Sequence, residues 1–303
     1  MTTLIDRTVL VTGANGYVGE FIVAALRSVG YRVLLGGRFP GADVFIDLDK
    51  PELIEQLQLP ERIAVCVHGA AANEVACRQA PYRAIAQNIL GTRAMLAACA
   101  RQGVERFVYL STWMVLGTQP GVLDEDVMGQ PVDDYGLSHW QAEQYVDAYS
   151  RNGRIAGTSV RLSNVFGPPA DWTHFSRWTL APFDFCRQAV SDGKIVLRTS
   201  GKQKRDFISG KYVGQRIVDL MSGTPPPRIH LAGAHVSILD WAVRVREIAG
   251  PMLGRDVAIS VGPPGASDEP DFFFKSRYVA RDENDSGRDE FITDTVRHLM
   301  ATA

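Results

Sequence analysis

A β-branched run from Thr8 to Val11 leads into Thr12-Gly13-Ala14-Asn15-Gly16-Tyr17-Val18-Gly19, and an amphipathic stretch follows from Tyr17 to Ser28. No other feature restricts the fold so strongly. A strand that ends in a glycine-rich turn and opens a helix is the first half of a βαβ unit, which implies a parallel sheet covered by helices. Glycines at 13, 16 and 19 permit a tight turn and close approach of the main chain to a ligand. The helix start supplies unpaired N–H groups and positive potential. The segment therefore suits a pyrophosphate; a purely structural turn is the alternative.

The same alternation continues. Strand-like runs are expected at Arg32 to Leu35, Val44 to Ile46, Ile63 to Val67, Phe107 to Leu110 and Ile155 to Leu162. Helices are expected at Ile85 to Arg101, closed by Gly103, and at Gln141 to Tyr149. After Pro168-Pro169 the texture shifts to aromatic-rich loops and shorter elements. The expected fold is α/β: a Rossmann-like, doubly wound parallel sheet with a smaller mixed α/β substrate-binding lobe. Residues 1–165 would form the first domain, with part of the C-terminal half returning to it, and residues 166–303 mainly the lobe.

Charge and composition exclude some classes. A net charge of −2 with scattered basic residues offers no electrostatic footprint for nucleic acid. No apolar run is long enough to span a membrane, and Met1 leads to Val9 without a charged-then-apolar leader. Cys66, Cys77, Cys99 and Cys186 lack paired or metal-ligand spacing, so no metal is expected; they read as reduced, mostly buried thiols of a cytoplasmic protein.

The spacing Gly-x-x-Gly-x-x-Gly resembles the extended branch of the short-chain dehydrogenase family. Further matches are Asp47-Leu48, His68-Gly69-Ala70-Ala71, Asn88-Ile89-Leu90-Gly91-Thr92, Arg161 to Pro168 and Lys204-Arg205-Asp206-Phe207-Ile208. The last two resemble elements of nucleotide-sugar epimerases, dehydratases and reductases. The likeness fades after about Glu247. It implies a dinucleotide held by Gly13, Asn15, Gly16, Tyr17, Val18 and Gly19, with Asp47 and Leu48 at the adenine. Gly69, Ala70, Ala71, Asn88 and Ser111 would lie beside the cofactor, and members of the family often dimerise through the helices around Asn88 and Tyr135.

The end of the second strand selects the dinucleotide. A carboxylate there suits a ribose 2′-OH, whereas an Arg suits a 2′-phosphate. Gly36-Gly37-Arg38 supplies Arg38 and no acid, and the short link to Asp47 resembles the reductase side of the family, including GDP-fucose synthase. NADP(H) is the expectation and NAD(H) the alternative. Arg38 as an ordinary solvated surface charge is the bland reading.

Tyr135-Gly136-Leu137-Ser138-His139 sits where the family has Tyr-x-x-x-Lys. Residues four apart share a helix face. The resemblance makes Tyr135 the proton donor or acceptor, and Thr112, within Ser111-Thr112-Trp113, the hydroxyl that orients the reacting oxygen. A phenol with a pKa near 10 needs nearby positive charge to ionise at neutral pH, and imidazole, near 6.5, is mostly neutral there. Three readings of His139 stand open: a working substitute that bonds the ribose and carries part-time charge, the mark of a pocket kept without turnover, or a bystander beside another cation. The first predicts a rate that falls as pH rises through the imidazole pKa.

The 4,6-dehydratases of the family carry Asp-Glu after the Thr, and GDP-fucose synthase a Cys; Trp113-Met114 stand here. Carbonyl reduction or 4-epimerisation remains, and Arg38 tips this to reduction. The implied substrate is a nucleotide-diphosphate sugar held by Thr112, Trp113, Asn164 and Arg205, with His174 a substitute acid. Trp172, Phe175 and Trp178 either cover that substrate or close the lobe's core. A catalytically silent dinucleotide- or nucleotide-sugar-binding scaffold is the reading from another class.

Overall fold

The computed structural model describes residues 8–263, 272–282 and 287–302; the leaderless start expected from Met1 lies outside them. The first half alternates as expected: β1 (Thr8–Thr12), α1 (Tyr17–Ser28), β2 (Arg32–Gly37), β3 (Val44–Phe45), α2 (Pro51–Glu55) and β4 (Val65–His68). Then come α3 (Glu74–Gln79), α4 (Pro81–Ala86), α5 (Thr92–Arg101), β5 (Arg106–Thr112), β6 (Gly121–Leu123), α6 (Asp134–Arg151) and β7 (Ala156–Leu162). The second half contains β8 (Asn164–Phe166), α7 (Ala181–Asp192), β9 (Lys194–Val196), β10 (Lys204–Ser209), α8 (Gly210–Asp219) and β11 (Arg228–Leu231). It ends with β12 (Ala234–Ser237), α9 (Ile238–Leu253), β13 (Ala258–Ser260), β14 (Phe272–Phe274) and α10 (Arg288–Thr302).

Seven parallel strands form the main sheet in the order β11-β7-β5-β4-β1-β2-β3. Side chains leave a strand alternately to its two faces. Val9 and Val11, Val65 and Val67, Val108 and Leu110 accordingly pack with Ile22 and Leu26 of α1 and Val213 and Ile217 of α8. Leu10, Cys66, Phe107 and Tyr109 go the other way, onto Met95 and Leu96 of α5 and Ala142 and Val146 of α6. Both faces are dry, so the strands read as nearly unbroken apolar runs. Ala94 and Ala98, on the small-residue face of α5, are buried in this chain's own core. All four cysteines are free and buried.

The smaller lobe centres on β12-β10-β8, with β9 and β13 paired beside it. Its core gathers Phe166, Phe183, Trp241 and Phe291. A parallel pair of β6 and β14 brings Phe272 against the loop after β5.

Two elements differ from expectation. The helix expected over Ile85 to Arg101 is broken into α4, a π-helical turn at Gln87–Gly91, and α5. The wider turn carries Asn88, fully buried, whose amide bonds both Ala72 and Ser138. Such bulges commonly mark functional sites. The helix expected from Gln141 begins seven residues earlier, because the Asp133 carboxylate accepts the Gly136 N–H at 2.7 Å and caps it. That cap puts Tyr135 in the first turn of α6.

Candidate active site

The glycine loop fits a dinucleotide diphosphate. Gly13 adopts φ +67°, and a Cβ there would press on Gly69 and Ala70 of the neighbouring loop. At Gly19 a Cβ would collide with the Gly13 carbonyl oxygen. The N-terminus of α1 has no side-chain cap, which leaves its first N–H groups without a capping side chain and suits an anion. Asn15 and Gly16 are exposed at the loop tip. Tyr17 turns toward the second lobe, donating its hydroxyl to the Gly167 carbonyl at 2.9 Å and packing on Phe175 and Phe183. Asn88 spends its amide on protein, holding the loop after Gly69-Ala70-Ala71 and tying it to α6. Leu48 is partly buried against Gly91.

Arg38 has acidic company invisible in linear order. Its Nη1 lies 3.2 Å from Asp47 and 3.1 Å from Asp49. Asp49 also receives Arg83 and Gln87, and Arg83 first, then the amide and the Arg38 charge, hold its carboxyl near about 2. No hydrogen bond forms at the other guanidinium nitrogens of Arg38 among the described residues, and the side chain is half exposed.

At the chemical end, β5 and α6 bring Ser111, Thr112, Tyr135 and His139 together. Tyr135 and His139 make an edge-on ring contact with centroids 4.6 Å apart. The Thr112 hydroxyl acts on the Tyr135 phenol and also accepts the Met114 N–H at 3.2 Å. Ser111 donates to Glu143 at 2.6 Å, and Glu143 is paired with Arg161 in full burial at 2.7 Å.

His139 departs from its expected titration near neutrality. The ring is 3% exposed, and desolvation drives its pKa down to about 4. It is neutral throughout the physiological range. Its Nδ1 lies 2.7 Å from the Tyr109 hydroxyl, and its Nε2 has no hydrogen-bond partner among the described residues. Burial also raises the Tyr135 pKa, the Glu74 carboxylate adds to that, and Arg177 opposes it. Arg177 is itself bound to Glu74 at 2.7 Å, so the pair presents little net charge. The phenol therefore stays protonated at neutral pH.

The substrate-side residues scatter more. Trp113 stacks on Phe272 at 5.2 Å, and the Arg205 guanidinium lies over both rings, 5.9 and 5.8 Å from their centroids. Asn164 donates to the Asp206 carbonyl at 2.9 Å and stitches β8 to β10. His174 stands at the surface, its side chain 84% exposed and paired with Asp171. Trp172, Phe175 and Trp178 pack on one another and on Phe183, and Trp172 stacks on His298 at 4.3 Å. They are partly buried and pack against the lobe's core.

Tyr109, Glu74 and Arg177 are the residues that sequence reasoning missed. Tyr109 reads as one more residue of a buried strand, and its partner His139 comes from another element of the fold. Glu74 and Arg177 lie 103 residues apart and meet only when the lobes fold together.

A parallel sheet with a glycine turn after β1, and a Tyr with a strand-end Thr at the C-terminal edge of β5, define a dinucleotide-dependent oxidoreductase of the Rossmann type. The chain belongs to the NAD dependent epimerase/dehydratase family, whose model matches residues 9–217. The fold is that of UDP-N-acetylglucosamine 4-epimerase from Methanobrevibacter ruminantium, solved with UDP-N-acetylmuramic acid, at 19% identity and TM-score 0.83 over 98% of this chain and 99% of that one. It is similar as well to Thermus thermophilus UDP-glucose 4-epimerase in complex with NAD, at 23% identity and TM-score 0.76 over 98% and 100%. MoeE5, solved with UDP-glucuronic acid and NAD, matches at 24% identity and TM-score 0.77 over 98% and 100%. No helix among the described residues is long and apolar enough to cross a membrane.

Proposed function

We propose that this protein reduces a keto group at C4 of a nucleotide-diphosphate sugar, with NADP(H) as the dinucleotide. The carrying observation is the protonated Tyr135 phenol, with a neutral His139 beside it and Arg177 already committed to Glu74. A reductase needs this group first as an acid, whereas a 4-epimerase needs it first as a base. The bound dinucleotide supplies hydride. Tyr135 delivers the proton to the carbonyl oxygen, Thr112 holds that oxygen, and Trp113 leaves no carboxylate or thiol for elimination or ring-carbon proton transfer. The glycine loop carries the diphosphate of the cofactor, with Gly69 to Ala71 along it; Arg205, over Trp113, takes that of the substrate. Residues 1–165, with part of the C-terminal half (α8 and β11) returning to them, hold the cofactor, and residues 166–303 form mainly the substrate lobe. Named relatives solved with UDP-sugars support this substrate class.

The free donors of Arg38 support NADP(H). One observation favours a second reading, an epimerase that retains NAD: Asp47 and Asp49 already engage Arg38 and would repel a 2′-phosphate. Exposed Tyr82, Leu90, Leu137 and Tyr145, around α4 to α6, suit a homodimer, and four buried free thiols suit the cytoplasm.

The test follows NADPH and NADH oxidation with a panel of nucleotide-diphosphate 4-keto sugars. Tyr135→Phe should lower kcat about 10²–10⁴-fold and leave dinucleotide affinity unchanged. Interconversion of nucleotide-hexose 4-epimers without added cofactor would replace the reductase by the epimerase. Dinucleotide binding without turnover on either panel would favour a silent scaffold.

A further inference from the structure

Side chains from two corners of the cofactor-side domain hold one stretch of the second lobe. β1 and β4 are neighbours, with Thr12 opposite His68, so the loops that follow them leave the sheet side by side. The loops touch: a Cβ at Gly13 would stand 2.8 Å from the Ala70 nitrogen. One loop opens α1 at Tyr17, and the other opens α3 at Glu74. The Tyr17 hydroxyl donates to the Gly167 carbonyl at 2.9 Å, and Glu20, one turn on, accepts the Ala170 N–H at 2.9 Å. At the far end Arg177 Nη2 donates to both oxygens of Glu74, at 2.9 and 2.7 Å. Phe175 packs edge-on against Tyr17 in between. Residues 167–177 therefore bridge from the start of α1 to the start of α3, across the crevice where the glycine loop meets Gly69 to Ala71.

The Arg177 end of this bridge keeps donors in hand. Only Nη2 is bonded among the described residues, which leaves Nε and Nη1, and the side chain is 19% exposed. A guanidinium offers its N–H groups in a planar fork that matches a phosphate. Its charge reaches both ends of the crevice. Burial raises the Tyr17 phenol and Arg177 opposes it; the same opposition acts at Tyr135, which packs against Ala72, Cys77 and Ala84. Glu74 is 22% exposed, so water can take its carboxylate once Arg177 leaves. We propose that Arg177 is a diphosphate ligand contributed by the second lobe, parked over the crevice by Glu74 until the diphosphate of the dinucleotide takes it over. This rests on the reading above that the chain binds a dinucleotide. A nucleotide-sugar substrate carries the same anion, but the anchors on Tyr17 and Glu20, in the first turn of the glycine-loop helix, point to that of the cofactor. On either partner the charge of Arg177 stays neutralised, and the Tyr135 phenol stays an acid.

The experiment measures affinities of the intact protein at constant ionic strength: NADPH and NADH by nicotinamide fluorescence, UDP-glucose by titration calorimetry. Arg177→Gln should weaken the dinucleotide about tenfold or more and leave UDP-glucose within about twofold. Glu74→Gln removes the competing carboxylate and should tighten the dinucleotide about two- to fivefold. A bridge that merely joins the lobes predicts the same sign for both variants, so weaker dinucleotide binding in Glu74→Gln overturns the proposal. An unchanged dinucleotide affinity in Arg177→Gln overturns it too, as does a loss confined to UDP-glucose, which would assign Arg177 to the substrate. Arg177→Lys keeps the charge without the fork and should bind between wild type and Arg177→Gln; with Glu74→Gln it decides the matter if Arg177→Gln does not fold. If the wild type binds neither dinucleotide, the proposal and the proposed function fall together. Dinucleotide binding without reduction of any 4-keto sugar removes the reductase reading alone, because the affinities still decide the role of Arg177.

Discussion

Three imidazoles are folded into this protein as neutral groups, and that makes its stability steeply dependent on acid. His68 and His230 are fully buried and His139 is 3% exposed. Desolvation lowers His68 to about 3, with His139 assisting, and lowers His139 to about 4 by itself. For His230, desolvation acts first and the Arg161 charge second, again to about 3. In the unfolded chain each returns to about 6.5. Folded pKa values lie below unfolded ones, so the unfolded state binds more protons between them. Stability is therefore complete above about pH 6.5 and falls as pH drops toward 4 and 3. Near pH 5 the difference is close to three protons, a slope of about 4 kcal/mol per pH unit. Integrated from pH 7 to pH 5 the loss is about 5–6 kcal/mol, comparable with the whole stability of many domains. Asp49 and Asp171, held near about 2 chiefly by Arg83 and by Thr173, lose their contributions only below about pH 4, outside this window. Urea unfolding at pH 7, 6, 5.5 and 5, followed by tryptophan fluorescence and circular dichroism, measures the slope. His68→Asn, His139→Gln and His230→Asn should each remove about a third of it, whatever they do to stability at pH 7. A wild-type stability that changes by less than about 1 kcal/mol between pH 7 and pH 5 would refute neutral burial of these rings.

Activity should be flat between about pH 6 and pH 8, because the His139 titration lies below that range; a fall with rising pH in kcat/KM would restore a charged imidazole to the mechanism. Glu74→Gln removes a carboxylate that raises the Tyr135 pKa and leaves Arg177 unopposed. The alcohol-oxidising direction should then gain about tenfold at neutral pH, one unit of phenol pKa, read from the pH–rate profile; an unmoved profile would exclude Arg177 as a cation felt by the phenol. Gly19→Ala should abolish dinucleotide binding, seen by fluorescence titration, while circular dichroism stays near wild type, since its Cβ meets the Gly13 carbonyl in the loop itself.

Particular residues mark where sequence stopped and tertiary structure began. The β1–glycine turn–α1 unit was legible because a strand, a tight turn and an amphipathic helix are each local patterns, and α1 spans Tyr17–Ser28 as expected. Tyr135 and His139 were legible as partners on one helix face because i and i+4 are fixed by helical geometry. The sequence also set the parity that sends Thr12, His68 and Tyr109 to one side of the sheet, though not which strands are neighbours.

Only the folded chain decided the rest. The row Thr12–His68–Tyr109 exists because β4 lies between β1 and β5 in parallel register, a long-range choice. Arg38 reads as a lone cation until the chain brings Asp47 and Asp49 to its guanidinium. Trp172 and Phe175 carry the same rings whether they cover a ligand or line a core, and only the fold sets them, partly buried, against Trp178, Phe183 and His298. The charge of His139 is the clearest case. An imidazole's intrinsic pKa belongs to its covalent structure, but the cost of charging it belongs to the solvent it has lost, and no linear sequence records how much water a side chain keeps.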